Sequence, residues 1–369
     1  MTGLYPIRGR GAAYNPPNRF EPIEIVPDGD ALDADLTDDE LPLPRTQFLR
    51  DTTREILAHN DSPDVGFNTS INPYRGCEHG CVYCFARPFH EYLGFSAGVD
   101  FETKIMVKEH APELLRAELM KPSYRPEVIF ISGVTDPYQP IERKLRITRR
   151  CLEVLAESRN PVGIITKNHL VTRDIDLLQE LAAHNAASVN ISITTLDNEL
   201  QRIMEPRTSV PRRRLDAVQK LAAAGIPVGI MVAPIVPAIT DEEMGDILQA
   251  AHDAGAKWAG YVVLRLPHAV APLFEDWLTH HFPDRKEKVL ARVRSMRGGR
   301  LYDSTWGERG RGTGEMAEQI GALFRAARRK AGFTEAESAR YELSTAAFRR
   351  PASARSGQLA LFPDQASLS

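Results

Sequence analysis

Short apolar runs rich in β-branched residues alternate with longer amphipathic stretches from residue 67 onward. Apolar runs of this length predict buried strands, and apolar residues spaced by three and four predict helices. Gly225 and Gly255 follow two of the helical stretches, where glycine commonly ends a helix. Strands are predicted at residues 67–71, 128–132, 162–166, 189–194, 228–233 and 258–265, and helices at residues 112–120, 144–156, 173–183, 211–224 and 241–254.

The alternation of strands and helices predicts an α/β fold. Right-handed βαβ units place such strands in a parallel sheet, and nearly continuous apolar strands are expected where helices cover both faces. Six strands predict a partial (β/α)6 TIM-like barrel, with the site at the carboxyl ends of the strands. A doubly wound sheet is the competing architecture.

The two ends of the chain differ from this core. Residues 21–44 contain nine Asp or Glu and no Lys or Arg, which is typical of a solvated tail. Residues 48–59 are interpreted as a short helix. The predicted organisation is a largely disordered acidic region at 1–47, a core domain at 48–300, a helical basic extension at 301–333 and a disordered tail at 334–369.

The overall composition is that of an ordinary globular protein, with 369 residues, 43% hydrophobic, 26% charged and a net charge of −3. This net charge excludes a polycation, so a nucleic-acid surface has to be local. The longest apolar stretch, residues 226–239, is interrupted by prolines and falls short of the ~20 residues of a membrane helix. We therefore expect a cytoplasmic protein with no membrane partner.

Three of the four cysteines lie in one segment, Cys77-Glu-His-Gly-Cys81-Val-Tyr-Cys84. In a reducing compartment such a cluster is typical of a metal or redox site rather than of disulfides. Three thiolates on one loop can bind three irons of a cubane cluster and leave the fourth open for cofactor chemistry. The alternative is a zinc site whose fourth ligand is His79, His90 or Cys151.

The same segment resembles the signature of the radical S-adenosylmethionine (SAM) superfamily, in which an aromatic residue, here Tyr83, precedes the last cysteine. That superfamily has a six-strand partial barrel. Two further segments resemble its branch of spore photoproduct lyase and "DNA repair photolyase" relatives. One uncharacterised bacterial subfamily of that branch is resembled by the N-terminal Gly9-Arg10-Gly11-Ala12, Asn15-Pro16 and Arg19-Phe20. The two segments are Asn72-Pro-Tyr-Arg-Gly-Cys77 and Thr135-Asp-Pro-Tyr-Gln-Pro140.

The resemblance implies the cofactors and the chemistry. Cys77, Cys81 and Cys84 are implied to hold a [4Fe–4S] cluster whose open iron binds S-adenosylmethionine. An electron from a flavodoxin-type or ferredoxin-type partner then cleaves the cofactor to methionine and a 5′-deoxyadenosyl radical, which abstracts hydrogen from a substrate. The implied activity is that of a lyase-like radical SAM enzyme.

The resemblance also implies contacts to the cofactor's amino group. Ser132, Thr135 and Asp136 follow the second predicted strand, where the family binds that group, and a carboxylate and hydroxyls suit an ammonium. The alternative interpretation is that Asp136 only starts a turn before its proline.

Four other residues are implied as cofactor contacts. Lys167 and Ser192 match a lysine and a serine that contact the cofactor in this branch. Arg214 is a candidate for the methionine carboxylate, because a guanidinium suits that group, and Tyr83 for the adenine face. A solvated strand end for Lys167, an exposed helix position for Arg214 and a core position for Tyr83 are the alternatives.

One departure from the branch concerns hydrogen return. Spore photoproduct lyase carries a cysteine beside its second-strand serine, which returns a hydrogen to the substrate radical, whereas this chain reads Ile131-Ser132-Gly133-Val134. The resemblance therefore implies the radical-generating half of the chemistry and leaves the substrate open.

Residues 285–330 carry 13 Lys or Arg against five Asp or Glu. Such a face favours contact with phosphates, so the leading hypothesis is a nucleic-acid-related substrate. A solvated helix pair is the alternative interpretation of these charges. The alternative functions are a radical SAM enzyme that modifies a small molecule, peptide or tRNA, and a non-catalytic iron–sulfur protein.

The C-terminal tail contains Gln358-Leu-Ala-Leu-Phe362, which resembles the motif that binds the bacterial sliding clamp. An apolar anchor in a disordered tail can fold on a partner, so the sliding clamp is a predicted partner. Packing of the segment on its own core is the alternative.

Overall fold

The computed structural model of the chain describes residues 6–21, 44–334 and 342–352. The strands are β1 (Gln47–Arg50), β2 (Leu57–His59), β3 (Thr69–Ile71), β4 (Tyr74–Arg75), β5 (Lys104–Val107), β6 (Ile129–Ile131), β7 (Val162–Thr166), β8 (Ala187–Ser192), β9 (Val228–Ile235) and β10 (Trp258–Val263). The α-helices are α1 (Val99–Thr103), α2 (Ala111–Met120), α3 (Glu142–Leu145), α4 (Ile147–Ser158), α5 (Ile175–Ala182), α6 (Asn198–Met204), α7 (Pro211–Ala223), α8 (Met244–Asp253), α9 (Val270–His281), α10 (Lys286–Ser295) and α11 (Gly314–Lys330).

The main sheet has the strand order β10-β9-β8-β7-β6-β3-β2. Six of its strands, β3 and β6 to β10, are parallel. The seventh, β2, pairs antiparallel with β3 at the edge of the sheet. A doubly wound sheet reverses its order near the middle, whereas here each parallel strand lies beside its predecessor in the sheet. The predicted α/β fold with a parallel sheet is confirmed, the competing doubly wound order is wrong, and the edge strand β2 was not predicted.

A smaller sheet pairs β1 with β5 and β5 with β4. The predicted helix at 48–59 is wrong, because this stretch forms β1 and β2 on either side of a loop. Parallel pairing with β5 and antiparallel pairing with β3 supply the backbone hydrogen-bond partners. These partners are distant in sequence, so tertiary context overrides local helix propensity.

The core lies between the main sheet and its outer helices. Strand residues such as Ile131, Ile164 and Ile230 are fully buried, as are Leu155 of α4 and Leu221 of α7. The helices that follow the strands therefore cover the outside of the sheet with the amphipathic faces that the sequence predicted. None of the helices within the described ranges is long and apolar enough to cross a membrane.

Both terminal regions contain packed segments. The prediction of disorder is wrong for residues 6–21, where Arg10 and Ala12 are buried. It is also wrong for residues 342–352, where the Phe348 ring lies 5.6 Å from that of Tyr124 and Arg350 donates to the Lys121 carbonyl at 2.8 Å. The motif at 358–362 lies outside the described residues, so its binding to a sliding clamp stays a prediction.

Candidate cofactor site

The loop after β4 carries Cys77, Cys81 and Cys84. The first two cysteines are buried and the third is half-buried. Gly76 and Gly80 have φ of 78° and 68°, a conformation that glycine adopts without a steric penalty, and they allow the tight turns of the loop. The sequence thus brings three thiols into one short, enclosed segment.

The three thiols lie within electrostatic range of one another. Burial, followed by repulsion from Cys77, raises the pKa of Cys84 to about 11, and burial also raises the pKa of Cys81. Metal binding therefore has to displace protons from this loop, as it does at thiolate sites generally. Within the described residues, no three His, Cys, Asp or Glu side chains lie close enough together to coordinate one metal ion. The loop thus supplies three thiols of the type that bind an iron–sulfur cluster, but these thiols are not arranged as they would be around a bound cluster.

The residues proposed as a fourth zinc ligand have other surroundings. Cys151 is fully buried in α4 among core side chains, as its helical spacing predicted. His90 packs edge-on against Phe101, and burial lowers its pKa to about 4. His79 faces the Asp136 carboxylate at 3.4 Å.

Asp136 connects three segments of the site. Its carboxylate accepts hydrogen bonds from the Thr166 hydroxyl at 2.7 Å and from the Lys167 backbone N–H at 2.8 Å. Burial raises the pKa of Asp136, but attraction to His79 and the hydrogen bonds from His79, Lys167 and Thr166 together outweigh burial, so the net pKa is lowered. Burial likewise opposes protonation of His79, yet Asp136 and the Cys77 thiol together raise its pKa to about 10. The Asp136 loop, the end of β7 and the cysteine loop are therefore held together.

Thr135 and Gln139 attach the same segment to the cysteine loop. The Thr135 hydroxyl donates to the Gly76 carbonyl at 2.8 Å, and the Glu78 N–H donates to the Gln139 side-chain oxygen at 2.9 Å. Gln139 is fully buried. The sequence analysis did not assign it, although it lies inside the quoted Thr135–Pro140 motif.

Ser132 directly follows β6 and has a strained backbone conformation. Its φ is 150°, which a residue with a Cβ rarely adopts, and Gly133 follows with φ of 159°. The Ser132 hydroxyl donates to the Thr135 carbonyl at 3.2 Å. Backbone strain of this kind concentrates at functional sites.

Glu205 is the centre of a buried charge network that the sequence analysis missed. One carboxylate oxygen lies 3.1 Å from the Lys167 ammonium and accepts hydrogen bonds from the hydroxyls of Thr194 and Tyr83. The other forms an ion pair with Arg214. Burial raises the pKa of Glu205, but the two cations outweigh it and hold the pKa well below its usual range. A single Glu after a short helix has no sequence pattern that marks such a role.

Ser192 and Arg214 lie at this same end of the sheet. The Arg214 guanidinium is buried and donates to the Ser192 carbonyl at 3.0 Å and to the Ser209 carbonyl at 2.7 Å. The exposed helix position considered for Arg214 is therefore wrong. To contact the methionine carboxylate as predicted, Arg214 would have to give up some of these bonds within the protein.

Some cations of the basic segment 285–330 have structural partners. Arg297 is buried and donates to the Leu264 carbonyl at 3.0 Å, and Arg309 pairs with Asp64. Beside the site, the Arg265 guanidinium lies 4.0 Å from the centre of the Phe85 ring, and Phe85 follows Cys84 directly. Arg265 follows β10 and thus lies outside the basic extension.

Comparison with known proteins agrees with this arrangement. The family model "Radical SAM superfamily" matches residues 71–251. An uncharacterised protein of Mycobacterium tuberculosis is 38% identical over 246 residues, which cover 64% of this chain and 72% of that protein. Spore photoproduct lyase of Bacillus subtilis is 28% identical over 168 residues, 43% of either chain.

A solved structure of a spore photoproduct lyase variant with bound AdoMet and dinucleoside spore photoproduct has the same fold. It aligns with a TM-score of 0.55 and 17% identity, over 78% of this chain and 82% of the other. The cysteine motif, the sequential parallel sheet and the family match point to the same superfamily, whose members are enzymes. The chain belongs to the radical SAM superfamily.

Proposed function

We propose that the protein binds a [4Fe–4S] cluster through Cys77, Cys81 and Cys84 and reductively cleaves S-adenosylmethionine. The observation that carries this proposal is the enclosed three-thiol loop beside Asp136 and the Glu205 network. When bound, the two cofactors supply a 5′-deoxyadenosyl radical that takes a hydrogen atom from substrate. A flavodoxin-type or ferredoxin-type protein is the proposed source of the electron.

The chain's own residues would bind and orient the cofactor. Asp136 stays ionised at neutral pH because its pKa is lowered, so it can attract an ammonium. The Lys167 ammonium lies 5.6 Å from the centre of the Tyr83 ring and 3.1 Å from Glu205, which fixes its position at the end of β7. An ordered cation of this kind suits a carboxylate of the cofactor.

Lys167→Ala is expected to keep its iron and to bind S-adenosylmethionine more weakly by roughly 10- to 100-fold, the cost of one charge-assisted hydrogen bond. Glu205 stays paired with Arg214 in this variant, so the fold is retained. The measurements are iron content, cofactor affinity and anaerobic formation of 5′-deoxyadenosine.

Lys220→Ala is the matched control, because Lys220 pairs with Asp216 and is 51% exposed. Unchanged affinity and cleavage in Lys167→Ala would remove Lys167 from the cofactor site. No cleavage by the reconstituted wild type would favour the non-catalytic iron–sulfur protein.

We further propose that the substrate is nucleic-acid-related. The supporting observation is Arg265 stacked on Phe85 beside Cys84, because arginine and aromatic faces together bind unpaired bases and phosphates. Trp306 of the basic extension is 54% exposed and is a second aromatic side chain on the surface.

Arg265→Gln is expected to weaken binding of a single-stranded oligonucleotide and to reduce the salt slope of log K by about one. Arg212→Gln, a charge change at an exposed position on α7, is the control and should leave the slope unchanged. Transfer of deuterium from a labelled oligonucleotide to 5′-deoxyadenosine would identify the substrate class. Transfer only from small molecules or peptides would contradict the proposal.

A further inference from the structure

The N-terminal residues Arg10, Gly11 and Ala12, which we call the strap, lie directly against the cysteine loop. A Cβ atom on Gly11 would stand 1.8 Å from the Gly80 carbonyl oxygen. No other residue type fits this approach without a shift of the loop backbone, because every other side chain begins with that atom. The strap therefore contacts the loop between its first two cysteines.

Glu102 binds the strap through both of its carboxylate oxygens. One oxygen accepts a hydrogen bond from the Gly11 N–H at 3.0 Å, and the other accepts from the Ala12 N–H at 2.9 Å. The Arg10 guanidinium donates to the Glu102 backbone carbonyl at 2.9 Å. Glu102 is fully buried, so these bonds are shielded from water.

Arg87 continues the connection from Glu102 to the cysteine loop. Its guanidinium pairs with Glu102 at 2.5 Å and donates to the carbonyls of Cys81 at 3.0 Å and Gly80 at 3.3 Å. Arg87 is also fully buried. A continuous set of charge-assisted hydrogen bonds therefore runs from the strap through Glu102 and Arg87 to the backbone of the loop.

We propose that the strap is a positioning element, which acts through Glu102 and Arg87 to hold the backbone of the cysteine loop in place for cluster binding. The proposal rests on the proposed function, since it assigns the loop to a cluster. A buried ion pair adds little net stability, and its best-attested use is to specify one geometry. Groups that orient ligands from outside the coordination sphere change metal affinity by about 10- to 100-fold.

The test compares Gly11→Ala with Gly66→Ala, a matched control because a Cβ on Gly66 meets no atom within 4 Å. In the metal-free chain, amide hydrogen exchange at residues 77–84 should rise about tenfold in Gly11→Ala while the midpoint of global unfolding stays near that of the wild type. In the reconstituted protein, a chelator should remove iron about 10- to 100-fold faster. The electron paramagnetic resonance spectrum of the reduced cluster should also change.

Arg10→Gln removes one bond to Glu102 without adding an atom to the contact, so it is the milder second variant and should move each measurement in the same direction. Unchanged loop exchange and iron retention in both variants would overturn the proposal. Faster exchange throughout the chain, with a lower unfolding midpoint, would overturn it in favour of a purely structural role. If the wild type binds no cluster, the proposed function fails, whereas exchange in the metal-free chain still decides whether the strap orders the loop.

Discussion

Cys84→Ala is expected to abolish assembly of the [4Fe–4S] cluster and with it all cleavage of S-adenosylmethionine. Cys84 is one of only three thiols on the loop, and a cubane held by three cysteines loses a required ligand when one is removed. Anaerobically reconstituted wild type should be brown and contain about four irons per chain, and the variant should be close to colourless. Iron analysis and the visible absorption spectrum measure both results.

Cys151→Ala is the matched control for this prediction. Cys151 is a fully buried cysteine in α4, among the apolar side chains of the main core, so its replacement creates a small cavity and leaves the cluster intact. Zinc in a one-to-one ratio in natively purified protein, with no iron bound on reconstitution, would contradict the prediction and restore the zinc alternative.

Glu205→Gln is expected to lower the free energy of unfolding by about 3–5 kcal/mol, because it leaves the buried Arg214 and the half-buried Lys167 without their carboxylate. The isosteric amide keeps the volume of the side chain, so the effect measures charge rather than packing. Lys167 and Arg214 lose their common partner, and the hydrogen bond from Tyr83 loses its charged acceptor. Urea unfolding at neutral pH measures the change.

The pH dependence of this difference has a definite sign. The folded-state pKa of Glu205 is lowered from its ordinary value of 4.5, so its contribution is fully present above that value and is lost as the pH falls below it. The difference in the free energy of unfolding between wild type and Glu205→Gln should therefore become smaller below about pH 4.5.

Glu199→Gln is the control for Glu205→Gln. Glu199 forms an ion pair with Arg202 on α6, and its side chain is 76% exposed, so solvent screens the pair and the change should stay below about 0.5 kcal/mol. Equal effects of the two substitutions at neutral pH would show that the Glu205 network is not a buried charge centre.

Local patterns were sufficient for the parallel core. The predicted strand at 162–166 coincides with β7, and the predicted helix at 211–224 ends one residue after α7. Their patterns are complete within a few residues, because burial on both faces requires apolar strands and burial on one face requires amphipathic helices. The cysteine motif could be recognised for the same reason, because its three donors lie close together in sequence on one loop.

Contacts between distant segments were not accessible in this way. The stretch at 48–59 forms strands because β5 and β3 supply partners, and nothing within the stretch itself specifies them. Glycine is required at position 11 because of the close approach of Gly80, which lies 69 positions further along the chain. Short-range propensity is a weak prior that such pairings override.

The sequence by itself determined the superfamily, the parallel α/β core and the loop that carries the three cysteines. The tertiary structure alone decided which charges meet around that loop. Glu205 lies 38 positions after Lys167 and nine before Arg214, yet it holds both cations in one buried network. The physical reason is that the attraction between buried charges depends on their distance and on exclusion of water, and neither quantity is written in the order of residues along the chain.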